Sequence, residues 1–79
     1  MGSLVTVRYW AGARRAAGRE SEQIEATSVG ELRGLLSARP GLAAVVVASS
    51  ILVDSLASTD ETPLDAGAVV DVLPPFAGG

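Results

Sequence analysis

The feature that most constrains this fold is a pair of apolar, β-branched segments near the two ends of a chain of only 79 residues. In residues 4–10, LVTVRYW, apolar and polar side chains alternate with the period of a strand that has one buried face. In residues 68–73, AVVDVL, the same period predicts that Val70 and Val72 face inward. Because these are the most apolar of the predicted strands, we expect them to lie side by side as a parallel pair at the centre of a sheet.

The clearest helical signal is SVGELRGLLSAR, residues 28–39. Ser28 is a suitable N-cap, and Glu31 follows at the spacing of a capping box. Pro40 and Gly41 then end the helix. Apolar residues recur at helical spacing and predict one core-facing stripe, made of Val29, Leu32, Leu35 and Leu36.

The remaining segments carry weaker signals. We predict a helical turn after the first strand closed by Gly18, a second strand over residues 20–26 in a hairpin with the first, and Ile24 as its inward residue. A short helix near 42–48, a strand near 50–54, an edge strand before residue 61 and a 3₁₀ turn over 62–67 complete the chain. The predicted fold is α+β: one domain, residues 1–79, in which a mixed sheet packs on one main helix in the ubiquitin-like β-grasp arrangement.

The residue types that are missing exclude several kinds of site. The chain has no Cys, His or Lys, which excludes thiolate chemistry, a Cys/His zinc site and a Schiff base, and we expect no metal and no bound cofactor. Six arginines against nine acids give a net charge of −3, which argues against a nucleic-acid binder. No apolar run approaches the roughly 20 residues of a membrane span, and no signal peptide is visible. We therefore expect a cytoplasmic protein without membrane contact.

The chain closes on the tail PPFAGG, residues 74–79. The Ser and Thr hydroxyls have no His or Lys to activate them, so the carboxylate of Gly79 is the reactive group that remains, and it is ionised at neutral pH. A stretched tail spans about 20 Å, with the prolines stiffening its base and the two glycines thinning its tip. Such a flexible tail fits a narrow active site on another protein. Composition alone leaves a frayed terminus as the alternative.

Three stretches carry a resemblance to a known family. PLDAGAVVDVLPPFAGG resembles the C-terminal signature of the molybdopterin synthase small subunit, one of the MoaD/ThiS-like, ubiquitin-like sulfur carriers. VRYWAGARRAAG and SVGELRGLL are similar to that family's first strand and helix start, so the likeness covers nearly the whole chain. The chain departs from the family at Ala68 and Val69, where an Asp-Glu pair is usual, at Arg15, where Glu is frequent, and at Asp54, where Asn is usual.

The resemblance implies a mechanism and a set of partners. A ubiquitin-activating-type adenylyltransferase would use ATP to adenylate the carboxylate of Gly79, and a sulfurtransferase would convert it to a thiocarboxylate. The tail residues Pro74, Pro75, Phe76, Ala77 and Gly78 would thread into the large subunit of molybdopterin synthase, within a heterotetramer. There the sulfur would pass to a cyclic pterin phosphate. The chain would be a non-catalytic subunit, not an enzyme on its own.

Three further residues are candidates for partner binding. By strand parity, Trp10 and Leu73 face outward, and they form an exposed apolar patch beside the tail if the two end strands are neighbours. Arg14 matches an arginine of the family and is a candidate for contact with a partner's acid. For Trp10 the alternative is packing under a loop, and for Arg14 it is a solvated surface charge.

Other functions remain open at this point. Related carriers supply sulfur for thiamin thiazole or for cysteine biosynthesis, and a ubiquitin-like protein modifier would instead be joined through Gly79 to lysines of other proteins. A plain binding domain with an incidental tail is a further possibility. The aromatic pair and the two prolines favour the molybdopterin role, while Ala68 and Val69 weaken it.

Overall fold

The two apolar end segments form the central strands of one mixed sheet in the computed structural model, which describes residues 2–75. Three helices connect the five strands. In chain order the elements are β1 (Ser3–Tyr9), α1 (Gly12–Ala17), β2 (Ser21–Ala26), α2 (Val29–Ser37), α3 (Ala43–Ala48), β3 (Ser50–Val53), β4 (Leu56–Ala57) and β5 (Val69–Leu73). The predicted strands and the two helices between β2 and β3 are therefore confirmed, with boundaries moved by a residue or two, while the predicted turn after β1 is a six-residue helix, α1.

The strand order across the sheet is β2-β1-β5-β3-β4. β1 and β5 are parallel, in a register that pairs Val7 with Val70 and Tyr9 with Val72. The other neighbouring strands are antiparallel. Because β1 and β5 run the same way, both finish at the same end of the sheet. We name this end, which leads to Trp10 and to Pro74, the tail edge. The opposite edge, where both strands begin, is named the far edge.

One face of this sheet is covered by the three helices, and the core lies between them. Alternate residues of β1 and β5 point into it, as the period-2 pattern predicts. The fully buried larger side chains are Tyr9, Leu32, Leu36, Leu42, Val5, Val7, Val29, Val46, Val70 and Val72. A mixed sheet that wraps one main helix, with its first and last strands parallel at the centre, is the ubiquitin-like β-grasp fold.

The start of α2 is capped in both directions. The Ser28 hydroxyl accepts a hydrogen bond from the backbone N–H of Glu31 at 3.1 Å. The Glu31 carboxylate reaches back to accept from the backbone N–H of Thr27 at 2.6 Å and from its hydroxyl at 3.0 Å. The capping box therefore forms, but Glu31 bonds to the residue before the cap. These bonds lower the pKa of the Glu31 carboxyl.

The prediction that Leu35 belongs to the core is wrong, because its side chain is 45% exposed. Val29, Leu32 and Leu36 are buried as expected. Residue 35 lies about 100° around the helix from residue 36, and the sheet reaches only one side of the stripe. Leu35 is therefore a surface residue of this chain.

The glycine in the first turn of α2 packs against a loop. The backbone N–H of Gly30 donates to the carbonyl of Asp60 at 2.9 Å, and a Cβ added at Gly30 would lie 3.1 Å from that oxygen. The absence of a side chain at Gly30 thus allows the loop around Asp60 to approach α2 closely. At Gly34 an added Cβ would meet nothing within 4 Å.

Two turns set the shape of the second half. Asp54 and Ser55 form a two-residue β3–β4 hairpin loop with φ of 48° and 71°. The predicted 3₁₀ turn over residues 62–67 is absent from the described chain: Pro63 forms an isolated bridge with Ser28, and a turn ends at Gly67 with φ of 84°. Gly67 therefore supplies the left-handed exit that was expected. Among residues 2–75, no helix has the length and apolar character needed to cross a membrane.

Candidate functional site

The parallel central pair brings Trp10 and the end of β5 together at the tail edge. The backbone N–H of Trp10 donates to the carbonyl of Val72 at 3.3 Å, which continues the β1–β5 pairing beyond Tyr9. Leu73 is half-buried, and Pro74 and Pro75 follow it with half-buried and exposed side chains. The structure thus puts two of the candidate partner-binding residues beside the base of the tail.

A carboxylate organises this edge on the outer face of the sheet, opposite the helices. Asp71 accepts hydrogen bonds from Arg8 Nε at 2.7 Å and Nη2 at 2.9 Å, and from the indole Nε1 of Trp10 at 2.9 Å. The Arg8 guanidinium lies 5.7 Å from the centroid of the Trp10 ring, within cation–π range. We name these three residues the Asp71 cluster. Asp71 is only 5% exposed although its position faces outward, because its two partners cover it.

The charge of Asp71 is stabilised by these contacts. The hydrogen bonds from Arg8, then that from Trp10, together with the nearby positive charge, outweigh burial and lower the pKa of the Asp71 carboxyl. The same partnership raises the pKa of Arg8. Asp71 is therefore ionised at neutral pH and accepts the hydrogen bond of the Trp10 indole as a carboxylate.

The prediction of an exposed apolar patch needs correction, because polar groups contact the tryptophan. Trp10 is 40% exposed, so it does not pack under a loop, but one edge of its ring is bonded to a carboxylate and a guanidinium lies within reach of it. Sequence reasoning missed Arg8 and Asp71 as members of the site. Arg8 and Asp71 lie opposite each other in the β1–β5 register. The alternation of each strand predicts that both side chains face outward, but their contact can be predicted only if the register is also known.

The turn after Trp10 carries backbone strain. Ala11 has φ 49° and ψ −124°, a conformation that favours glycine, and the N–H of Ala13 donates to the Trp10 carbonyl at 2.9 Å. This turn starts α1, which ends at Gly18 with φ 76°, as predicted. The backbone directly after Trp10 is therefore held in an unfavourable conformation.

Arg14 lies in the same region. Its exposed side chain lines a recess at the tail edge, and Arg14 and Arg15 form no ion pair among residues 2–75. The recess is lined by Arg8, Tyr9, Trp10, Arg14, Glu20 and Ser21. All three candidate partner-binding residues therefore lie at this edge, with Arg14 and Trp10 lining one recess.

A second polar cluster lies behind the recess and joins three elements. Glu22 of β2 accepts a hydrogen bond from the Tyr9 hydroxyl at 2.5 Å and binds both terminal nitrogens of Arg39, which follows α2. Arg19 lies 3.5 Å from the same carboxylate. The bonds from Arg39 lower the pKa of Glu22, and burial followed by the bond to Glu22 raises that of Tyr9. This cluster ties β1 and β2 to the segment that follows α2.

The tail beyond Pro75 lies outside the described residues. The predictions for Phe76, Ala77, Gly78 and Gly79 therefore stay predictions. Within residues 2–75, no group of three or more acidic, His or Cys side chains is arranged to hold a metal ion. What the described site offers is a surface: an oriented aromatic ring, a paired and an unpaired guanidinium, and the base of the tail.

Comparison with known proteins identifies relatives of this chain. The sequence profile of the ThiS family matches residues 7–79. A chain from the complex of subunit 1 and 2 of the molybdopterin-converting factor of Helicobacter pylori is similar at 30% identity with a TM-score of 0.78, covering 96% of this chain and 99% of that one. No curated protein sequence was found to match.

Two archaeal structures extend the comparison. The Haloferax volcanii HVO 2177 protein has a TM-score of 0.81 at 26% identity and covers 98% of this chain and 87% of its own. SAMP1 from Haloferax volcanii has a TM-score of 0.83 at 21% identity and covers 98% and 100%. At that identity the second likeness bears on the fold alone, and it agrees with the β-grasp topology described above.

Proposed function

This chain belongs to the ThiS family of ubiquitin-like proteins, and we propose that it is a sulfur carrier for molybdopterin biosynthesis. In this proposal the carboxylate of Gly79 is adenylated, converted to a thiocarboxylate and used to donate sulfur to a cyclic pterin phosphate. The single observation that carries the proposal is the family match over residues 7–79, which includes the tail through both glycines. The molybdopterin role draws on the Helicobacter pylori relative, whose complex joins two subunits of a molybdopterin-converting factor.

The proposed reaction has three steps: adenylation, sulfur loading and sulfur transfer. An oxygen of the Gly79 carboxylate attacks the α-phosphate of ATP, releasing pyrophosphate and forming an acyl adenylate. Sulfide then attacks the carbonyl carbon and displaces AMP, leaving a thiocarboxylate. Where the attacking group is a persulfide of the sulfurtransferase, the product is an acyl disulfide, and a thiol cleaves its S–S bond, releasing the thiocarboxylate and forming a disulfide with the sulfurtransferase cysteine. Transfer of the sulfur to the pterin, with water restoring the carboxylate, returns the carrier to its starting state.

The chain's own residues support a carrier role and not a catalytic one. Its nucleophiles are Ser and Thr hydroxyls, and the sequence offers no His, Cys or Lys to activate them or to replace them. We therefore propose that the adenylyltransferase, a sulfurtransferase and the synthase large subunit supply the catalysis. The carrier contributes the reacting carboxyl and a surface that each partner can hold.

That surface is the tail edge. We propose that Trp10 inserts into an apolar slot of the large subunit, with Leu73 beside it and Arg14 at the rim. Pro74 and Pro75 direct the tail away from the sheet, and the segment from Phe76 to Gly78 threads into the active site. The assembly would contain two carriers and two large subunits, in the cytoplasm. The orientation that Asp71 imposes on Trp10 supports this arrangement, since an anchor that is already ordered loses less entropy on binding.

A second candidate comes from the family departures. Ala68 is buried and Val69 half-buried where the molybdopterin carriers have an acidic pair, so this carrier lacks two charges near β5. A carrier for thiamin thiazole or cysteine biosynthesis would share the Gly79 chemistry and differ only in the acceptor. A ubiquitin-like modifier would share the adenylate and then form an amide bond to a lysine of another protein.

Intact-mass spectrometry of the full chain tests the chemistry. Incubation with an activating enzyme, ATP and a sulfide source should raise the mass by the difference between sulfur and oxygen. A matched control, the same chain with one Ala appended after Gly79, should fold with an unchanged thermal melt and gain no mass. An unchanged wild-type mass with an enzyme that is competent on its own carrier would refute the proposal.

The acceptor is tested separately. The thiocarboxylated chain is mixed in turn with a molybdopterin synthase large subunit plus cyclic pterin phosphate, with a thiazole synthase system and with a cysteine synthase system. Dithiolene product formed with the first alone supports the molybdopterin role. Turnover with another system reassigns the pathway, and a lysine-linked adduct formed in extract identifies a modifier.

A further inference from the structure

The charges of this protein are segregated along the axis of its central strands. All six basic residues are arginines, and four of them fall between positions 8 and 19, before Glu20, the first acid of the sequence. By their contacts and register, five arginines lie in the half of the fold next to the tail edge, against three acids. The tail-edge charges are Arg8, Arg14, Arg15, Arg19, Arg39, Glu20, Glu22 and Asp71.

The other half carries the opposite charge. Asp54 accepts a hydrogen bond from the N–H of Val69 at the start of β5, so it lies toward the far edge, and the segment containing Asp60 contacts the start of α2. Six acids and one arginine remain outside the tail-edge set. That arginine, Arg33, is paired with Asp60 at 3.1 Å and also donates to the Val46 carbonyl at 2.8 Å, so this neutral pair lies toward the middle of the fold and does not change the charge balance. The charges outside the tail-edge set are Glu25, Glu31, Arg33, Asp54, Asp60, Glu61 and Asp65. The net charge of −3 therefore combines a positive tail half with a strongly negative far half.

Some arginines at the tail edge form ion pairs with acids of this chain, and others are available to a partner. Arg8 is committed to Asp71, and Arg39 to Glu22. Arg14 and Arg15 on α1 are exposed and unpaired among residues 2–75. Both side chains belong to α1, which starts at Gly12, two residues after Trp10. The available cations thus border the aromatic anchor and the base of the tail.

We propose that the tail edge docks on an acidic protein surface, with carboxylates of the partner facing Arg14 and Arg15 around the slot that receives Trp10. This inference rests on the proposed carrier function and names the chemistry of the partner's rim. The opposite charges of the two ends orient the carrier tail-first during approach, because a complementary field raises the rate of productive encounter and disfavours the reverse orientation. Arg15, which replaces the acid usual in the family, makes this preference a property of this chain.

A polyanionic nucleic acid is the less suitable occupant. The tail half has only two more positive than negative charges, and the six acids of the far half would repel a long phosphate backbone that passed over the molecule. A protein rim presents its carboxylates locally, beside an apolar slot, which matches two exposed arginines beside one tryptophan. The observations therefore favour an acidic protein surface.

The test maps the binding of a poly-L-glutamate peptide to the full ¹⁵N-labelled chain by NMR at low salt. We expect shifts at the indole N–H of Trp10 and at amides of α1, and none in residues 54–65. The shifts should disappear when salt shortens the Debye length to a few ångströms. Poly-L-lysine should show the opposite map, with shifts in residues 54–65.

Two charge-matched variants complete the experiment. Arg14→Gln/Arg15→Gln should weaken poly-L-glutamate binding at least about fivefold, whereas Glu61→Gln/Asp65→Asn should change it less than about twofold. Absence of binding, shifts centred on residues 54–65, or equal effects of the two double variants would overturn the inference. The thiocarboxylate assay does not use this peptide, so failure here leaves the Gly79 chemistry standing, and failure there leaves the charge map standing.

Discussion

The indole Nε1 of Trp10 donates a 2.9 Å hydrogen bond to Oδ1 of Asp71, although 61 positions separate the two residues in the sequence. The parallel pairing of β1 with β5 is what brings them together, with Arg8 directly opposite Asp71 in the register. An outward-facing carboxylate thereby orients the only tryptophan of the chain, at the edge from which the tail departs. The relationship connects the fold to the proposed docking surface.

Removal of that carboxylate should release Trp10. We expect Asp71→Ala to shift the tryptophan emission to the red, to increase quenching by acrylamide and to lower the unfolding free energy by about 1–3 kcal/mol, since Trp10 and Arg8 lose their acceptor. Asp71→Asn keeps an oxygen acceptor for Trp10 and should change the emission less. Identical spectra for wild type and Asp71→Ala would show that the hydrogen bond does not orient the ring.

The Asp71 carboxylate should also make the unfolding free energy depend on pH in acid. The folded-state pKa of Asp71 is lowered, so its contribution to stability is complete above its unfolded pKa of about 3.9 and is lost as the pH falls through the lower folded value. The stability difference between wild type and Asp71→Asn in urea unfolding should therefore be largest at pH 6 and should shrink as the pH falls through the lowered folded-state pKa of Asp71. A difference that does not shrink would contradict the assignment.

The raised pKa of Tyr9 should make the protein less stable at high pH. Burial and the bond to Glu22 raise its pKa, so the unfolding free energy should fall once the pH exceeds about 10, where the unfolded tyrosine ionises and the folded one does not. Tyr9 is the only tyrosine and the chain has no Lys or Cys, so tyrosinate absorbance reports this one group. Tyr9→Phe should be less stable by about 1 kcal/mol at neutral pH and should lose the alkaline dependence.

The β3–β4 hairpin loop offers a stabilising change. Ser55 has φ of 71°, a left-handed conformation that costs a residue with a Cβ about 1–2 kcal/mol relative to glycine. Ser55→Gly should raise the unfolding free energy by about 1 kcal/mol in urea denaturation. As a control, Ser50→Gly on an exposed strand position without positive φ should lower it by roughly 0.5–1 kcal/mol. Equal effects would mean that the loop is not strained.

The correction at α2 is testable with adjacent leucines. Leu36 is fully buried and Leu35 is 45% exposed. Leu36→Ala should cost about 2–5 kcal/mol, whereas Leu35→Ala should stay within about 0.5 kcal/mol. A large loss at Leu35 would mean that the apolar stripe is as wide as the sequence suggested.

Partner binding is tested at Trp10 itself. If Trp10 is an anchor, Trp10→Ala should weaken binding to the large subunit by about 2 kcal/mol or more, measured by calorimetry. Leu4→Ala is the matched control, because Leu4 is an exposed apolar residue of the same strand, toward the far edge. An unchanged affinity for Trp10→Ala would remove Trp10 from the interface.

Local signals in the sequence were enough to define the strands and the main helix. The alternation in residues 4–10 and 68–73, the capping residues of α2 and the glycines at positions 18 and 67 each predict structure within a few residues of themselves, and each prediction is confirmed. The resemblance of the tail and first strand to a carrier family is likewise confirmed by the family match. These features depend on backbone preferences and on side-chain periodicity, which are properties of short segments.

Properties that depend on distant neighbours were not available in this way. Helical spacing puts Leu35 beside Leu36, but only the packed sheet decides which side of the stripe is covered. Strand parity turns Trp10 outward, but only the register of β1 against β5 puts Asp71 within hydrogen-bonding distance of its indole and of Arg8. A parallel register shifted by one position would direct that carboxylate to the core face.

The sequence by itself therefore determined most of the strands and helices and their order along the chain, since these follow from local pattern, and its resemblance to the carrier family is confirmed by the family match. Only the tertiary structure decided that Trp10, Arg8 and Asp71 form one cluster, that Arg14 lines a recess beside it, and that positive and negative charges lie toward opposite ends of the sheet. The physical reason is that hydrogen bonds and Coulomb interactions depend on distances in space, and chain separation does not fix those distances.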